Sequence, residues 1–199
     1  MTFAQPDIAA LIGSRICHDL ISPLGAISNG VELLTMTGAA QSPEIALIAE
    51  SIDSANARIR YFRLAYGSAS ENQTMASSEL RSILADVCKS TRLTITWIPE
   101  ADIPRQQAKL VFLMLQCFET ALSFGGRITV SQQNGRWCLV AEAERIKASE
   151  GLWQLLSQSG TIPDVNAADV QFLLVPQLLQ SFGRTLKLEI CDTRMDAQF

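Results

Sequence analysis

Apolar residues early in the chain fall at helical spacing. Ile8, Leu11, Ile12, Ile16, Leu20, Leu24, Ile27, Val31 and Leu34 recur three or four positions apart. That spacing stacks side chains on one side of a 3.6-residue helix and predicts a long amphipathic helix from about Asp7 to Thr37. Gly38 and the Gln41-Ser42-Pro43 turn end it, with Ser42 suited to cap the next helix and Pro43 to open it. Ile45, Ile48, Ala49, Ile52, Ala55, Ile59 and Phe62 continue the stripe to about Tyr66, so the two helices form an antiparallel hairpin. Gly67 to Ser78, rich in Ser, Gly, Asn and Gln, reads as a linker.

Beyond it, helix and strand patterns alternate. Glu79–Lys89 reads as a helix, Leu93–Ile98 as a strand, and Pro104–Phe124 as a long apolar helix stopped by Gly125-Gly126. Arg127–Gln132 and Arg136–Ala143 are strands joined through Gln133-Asn134-Gly135, a hairpin signal. Glu150–Ser157 is a short helix. Asn166 or Asp169 caps a helix running to Phe182, Gly183 closes it, and Thr185–Ile190 alternates as the final strand. The expected class is α+β, in two domains: residues 1–70 as the helical hairpin and 76–199 as helices on one face of a mixed sheet. A two-helix hairpin encloses no core. A second copy would complete a four-helix bundle, which predicts a homodimer; the alternative is that the second domain covers the open stripe.

Composition narrows the function. The 199 residues are 48% hydrophobic and 18% charged, which excludes a disordered chain. A net charge of −4 with no basic run argues against nucleic-acid binding. The five cysteines (17, 88, 117, 138 and 191) lie mostly in apolar runs, as expected of buried thiols in a reducing compartment. With one histidine and no C-x-x-C, no metal site is expected. Met1–Ala10 has no basic stretch ahead of an apolar one, and the longest uncharged apolar run, within Val170–Phe182, is too short to cross a bilayer, so the expected location is the cytoplasm, away from membranes. Trp97, Trp137 and Trp153 read as core, and the acids Asp86, Glu119 and Glu142 form no convincing pair.

The single histidine, His18, lies mid-helix in the first half of the hairpin. The apolar stripe passes through Ile16, Leu20, Leu24 and Ile27, whereas the face of His18 carries Arg15, Ser14, Ser22 and Gly25. A solvent-facing imidazole is largely neutral near pH 7, and its free nitrogen is a nucleophile toward phosphorus. Arg15 is one turn away to attract a phosphoryl oxygen, the small Ser22 and Gly25 leave room for a partner, and Ile21 offers it an apolar contact. Asp19 is about 100° round the helix from His18. Pro23 removes a backbone hydrogen bond just beyond. Taken alone, these residues also describe an incidental surface histidine.

The string His18-Asp19-Leu20 with Pro23-Leu24 resembles the H-box of sensor histidine kinases. Leu110–Ala121 followed by Gly125-Gly126-Arg127-Ile128-Thr129-Val130 resembles the helix, glycines and strand around the kinase N-box, and Leu178–Ile190 the last helix and strand of the kinase ATP-binding domain. The nucleotide boxes are missing. The magnesium-holding asparagine would fall near Thr120, the D-x-G-x-G box is replaced by Ala143-Glu144-Arg145-Ile146-Lys147, and the later glycine box by Ala167-Ala168-Asp169-Val170-Gln171-Phe172. Without glycine there, backbone cannot approach phosphates.

A phosphorylatable hairpin with a degenerate ATP domain looks like the ChpT-type histidine phosphotransferases of alphaproteobacteria. The resemblance implies a homodimer that relays a phosphoryl group between receiver-domain aspartates of a two-component phosphorelay. It implies His18 as phosphoacceptor and Asp19 as its neighbouring acid. No cofactor of its own is implied; magnesium comes with the partner receiver domains of a hybrid kinase and of response regulators. Helical geometry adds a docking surface of Arg15, Ile21, Ser22, Gly25 and Asn29, with Arg60 and Arg63 from the second helix. Two other functions compete: a non-catalytic kinase-like dimer that binds receivers or inhibits a kinase, and an active ATP-dependent kinase, against which the lost glycine boxes argue.

Overall fold

The computed structural model describes residues 8–36, 43–70, 72–156 and 165–199. The expected turn around Gly38–Ser42 lies outside them. Two compact units meet between Ser70 and Glu71.

In the first unit, α1 (Ile8–Met36) packs along α2 (Pro43–Ala65). α1 is continuous through position 23, so Pro23 does not end it. The approach is closest at Gly13, where a β-carbon would sit 3.2 Å from the Tyr66 Cβ and 3.3 Å from its carbonyl oxygen. Only a residue without a side chain lets the backbones come this near.

The second unit is α+β. A five-stranded sheet runs in the order β2-β4-β5-β7-β6, built from β2 (Leu93–Trp97), β4 (Gly126–Gln133), β5 (Arg136–Glu142), β6 (Lys187–Ile190) and β7 (Arg194–Gln198). It is mixed: β2 pairs parallel to β4, and the other pairs are antiparallel. A small antiparallel pair, β1 (Thr74–Met75) with β3 (Ile103–Pro104), stands apart. The helices are α3 (Ser77–Cys88), α4 (Arg105–Ala121), α5 (Glu150–Leu156) and α6 (Gln171–Ser181). Alternation along the strands decides which sheet face is covered. Ile128, Val130, Trp137, Leu139, Ala141, Met195 and Ala197 are buried, while their neighbours Thr129, Ser131, Val140 and Asp196 are half-exposed. α4 runs through the core and is buried almost continuously from Ala108 to Phe118.

Most predicted elements are present, with corrections. Thr185–Ile190 is not the final strand: β6 spans only Lys187–Ile190, and β7 follows and pairs with both β5 and β6. Gly67–Ser78 is not all linker, because Thr74–Met75 pairs with β3 and Ser77 already opens α3. Asn166 precedes a single 3-10 turn, Ala167–Asp169, and makes no side-chain cap; the α-helix starts at Gln171. α4 ends at Ala121, short of Phe124. The predicted turn glycines take the conformations that need glycine. Asn134 and Gly135 have φ of 50° and 76° in the β4–β5 hairpin, and Gly183 has 61° after α6. The three tryptophans are core, at 5% exposure or less.

Candidate functional site

The site is built on α1. Its residues divide into strips by helix geometry. Gly13, Cys17, Leu24, Ser28 and Val31 are buried or half-buried along the side that meets α2. Next to them lies a ridge of large apolar side chains left open: Ile16 (54% exposed), Leu20 (46%), Ile27 (51%) and Leu34 (47%). Of the thirteen large hydrophobics exposed among the described residues, ten belong to the hairpin; only Ile98, Phe124 and Ile190 belong to the second unit. A monomeric surface rarely carries a contiguous apolar strip of this kind.

Position 18 is about half a turn round the helix from this ridge, on the strip it shares with positions 22, 25 and 29. The side chains of His18, Asp19 and Arg15 lie outside the described residues; their backbone is part of α1. Around them, Ser22 and Asn29 are exposed, and Ile21 is 36% exposed. A β-carbon at Gly25 or Gly30 would meet nothing within 4 Å. Among the described residues, those around position 18 are therefore small and open, with one apolar side chain, Ile21, on offer.

Which part of α2 reaches this level follows from the Gly13–Tyr66 contact. The helices are antiparallel and share a rise of about 1.5 Å per residue. Three steps along α1 to Ile16 therefore match three steps back along α2 to Arg63, and position 18 falls level with Tyr61. Arg60 and Arg63 stand just to either side of that level. Arg60 is half-buried and Arg63 exposed. The Cys17 thiol gives a second marker: burial raises its pKa, and the Arg63 guanidinium partly opposes the rise, so that positive charge is felt at the residue bonded to His18. Two arginines predicted from helix faces are thus brought to the level of the histidine. Arg58 instead lies over the Tyr61 ring, 6.0 Å from its centroid.

Arg63 also belongs to a regular series along α2. Ile45, Ala49, Ile52, Asn56, Ile59, Arg63 and Tyr66 follow an unbroken four-three spacing, the spacing of a helix seam. Ile52 and Ile59 are buried, and Tyr66 abuts Gly13. Arg63 is the one charged residue with this spacing, and it lies at the level of the small Gly13 and Cys17.

The second unit can be tested against a nucleotide, which its resemblance to kinases raises. Trp153 of α5 packs edge-on against Phe118 of α4 at 6.0 Å and Phe172 of α6 at 5.2 Å, and all three rings are buried. The exposed Thr120 donates its hydroxyl to the Cys117 carbonyl of its own helix. Residues 143–147 are tied in by backbone: Ala143 and Ile146 donate to Thr193 and Asp192, and Lys147 to Ala121. The Lys147 ammonium caps the Phe124 ring at 4.8 Å. Aromatic packing joins the three helices, and no glycine stands at 143–147 or at 167–172. Among the described residues, no group of three His, Cys, Asp or Glu is placed to hold a metal, and no helix is long and apolar enough to cross a membrane.

A helical hairpin that carries the chain's single histidine is followed by an α+β unit, and the sequence of that second unit gives the class: a histidine phosphotransferase. Residues 77–194 match the family described as the histidine phosphotransferase C-terminal domain, well over half of the chain, and the chain belongs to that family. It is similar along its whole length to Protein phosphotransferase ChpT of Brucella abortus, 29% identical over 205 residues that cover 97% of that protein. Its fold is that of a solved bacterial phosphotransferase, which aligns over all of this chain and 98% of its own with a TM-score of 0.69 and 24% identity.

Proposed function

We propose that this chain is a homodimeric histidine phosphotransferase that relays a phosphoryl group between receiver-domain aspartates through phospho-His18, without using ATP. The observation that carries the reading is the placement of its only histidine, in an H-box on α1 ahead of a histidine phosphotransferase domain, on the strip of the helix facing away from the open apolar ridge. If that ridge seats a second hairpin, the histidine strip stays accessible. Ile21, Ser22, Gly25 and Asn29, with Arg15, Arg60 and Arg63, then line the approach of a receiver.

The transfer itself asks little of the protein. The lone pair of the His18 ring nitrogen attacks the phosphorus of the receiver's aspartyl phosphate in line. The bond between phosphorus and the carboxylate oxygen breaks, its electron pair leaves with the restored carboxylate, and a P–N bond forms. The reverse step, onto a second receiver's aspartate, breaks that bond and returns the lone pair to the ring. The receiver brings its own magnesium, so this chain contributes nucleophile, position and charge. Asp19, next in sequence, is the neighbouring acid. The packed α4–α5–α6 aromatics and the missing glycines support the absence of nucleotide chemistry. Free thiols at all five cysteines, one of them exposed at Cys191, suit a reducing cytoplasm.

The test is direct. Incubation with a phosphorylated receiver should place an acid-labile, base-stable phosphate on the chain, and peptide mapping should locate it at His18. Receiver binding without any such label would convert the reading to a non-catalytic binding dimer.

A further inference from the structure

We propose that Arg63 is a catalytic residue of the relay, reaching from α2 to hold the oxygens of the phosphoryl group as it passes to and from His18. The inference rests on the reading of His18 as phosphoacceptor.

Three observations lead to it. The first is position. The Gly13–Tyr66 contact sets the register of the hairpin and brings Arg63 within two residues of the level of position 18. The second is the seam. A charged side chain, itself exposed, continues the four-three spacing that the buried Ile52 and Ile59 follow. The residues of α1 at that level, Gly13 and Cys17, are small, and Arg63 itself is exposed. The third is electrostatic proximity: the Arg63 charge is felt at the Cys17 sulfur. An arginine held by its stem and bonded through a planar fork suits a phosphoryl group, whose charge spreads over three equatorial oxygens in transfer. The bond changes are those given above; Arg63 neither gains nor loses a proton. It offers N–H donors to oxygens that carry charge in both the aspartyl phosphate and the phosphohistidine, and most fully between them.

A structural alternative gives the opposite expectation. Polar residues at seam positions also fix helix register. The discriminating variant is Arg63→Met, which keeps a long apolar stem in the seam and removes the charge. Single-turnover transfer from a phosphorylated receiver, measured across receiver concentrations with the full chain, separates maximal rate from half-saturation. For Arg63→Met we expect an unchanged or higher Tm, a maximal rate about 10- to 100-fold lower, and half-saturation within about threefold of the unaltered chain. Arg63→Lys should recover the rate to within about tenfold, because it restores charge without the fork. Arg58→Gln, on the Tyr61 ring, should transfer normally. If Arg63→Met does not fold, Arg63→Gln carries the same test. A charge-free variant that transfers at the full maximal rate, or that loses only half-saturation, overturns the inference and leaves Arg63 a seam or docking residue. His18→Ala is run in parallel. Label that persists on that variant, or no label on the unaltered chain, brings down the His18 reading and Arg63 with it; loss of label there with a fully active Arg63→Met brings down this inference alone.

Discussion

Gly125 and Gly126 turn the chain from α4 into β4, and they show how tightly single residues are specified. Gly125 has φ of 99°, and a β-carbon there would sit 2.7 Å from the Arg92 carbonyl oxygen. Gly125→Ala should therefore cost about 1–3 kcal/mol in backbone strain, and more from the overlap, read as a lower urea midpoint at unchanged slope. The cysteines give a second expectation. Burial raises the thiol pKa of Cys17, and of Cys117 much further, so less thiolate forms at a given pH, while Cys191 is exposed. Titration of the native protein with a thiol reagent at pH 8 should modify Cys191 first and Cys17 and Cys117 only after unfolding; equal rates would refute the burial. At this scale, turn glycines and tryptophans were legible because each leaves a local signature. His18 stands out as a candidate through the string His18-Asp19-Leu20 with Pro23-Leu24. The spacing of Arg63 is harder to see, because a stripe through Ile48, Ala55 and Phe62 mixes two adjacent faces of α2. The four-three spacing from Ile45 to Tyr66 was the signal that separates them.

At the scale of elements, the hairpin is more apolar outside than a free-standing pair of helices should be. The ridge of Ile16, Leu20, Ile27 and Leu34 runs along α1 from Ile16 to Leu34. If a second copy covers it, Leu20→Glu with Ile27→Glu should convert a dimer into a monomer in light scattering while circular dichroism keeps its helical signal. A monomeric unaltered chain would contradict the four-helix bundle. The missed strands have plain physical causes. β7, Arg-Met-Asp-Ala-Gln, holds only Met195 and Ala197 on its buried side, and its alternation is carried by weak strand formers. It is a strand because β5 and β6 flank it on both edges, which local propensity does not contain. β1 and β3 are two residues each, below the length at which a period can be read. The long helices and the Asn134-Gly135 hairpin were legible because their periods and turn residues are local.

At the scale of the molecule, the chain joins a helical unit that carries His18 to an α+β unit of the histidine phosphotransferase family. The second unit packs Trp153 between Phe118 and Phe172. Calorimetric titration with ATP and magnesium should therefore give no saturable heat, and submicromolar to micromolar binding would contradict the loss of nucleotide function. The claim on which the rest depends is that phosphate passes through His18. The measurement that tests it most directly mixes a phosphorylated receiver, this protein and a second, unphosphorylated receiver, with the unaltered chain and His18→Ala compared side by side. The account predicts acid-labile, base-stable label on the unaltered chain, its onward movement to the second receiver, and neither with His18→Ala. A His18→Ala protein that still carries phosphate from one receiver to the other would contradict it.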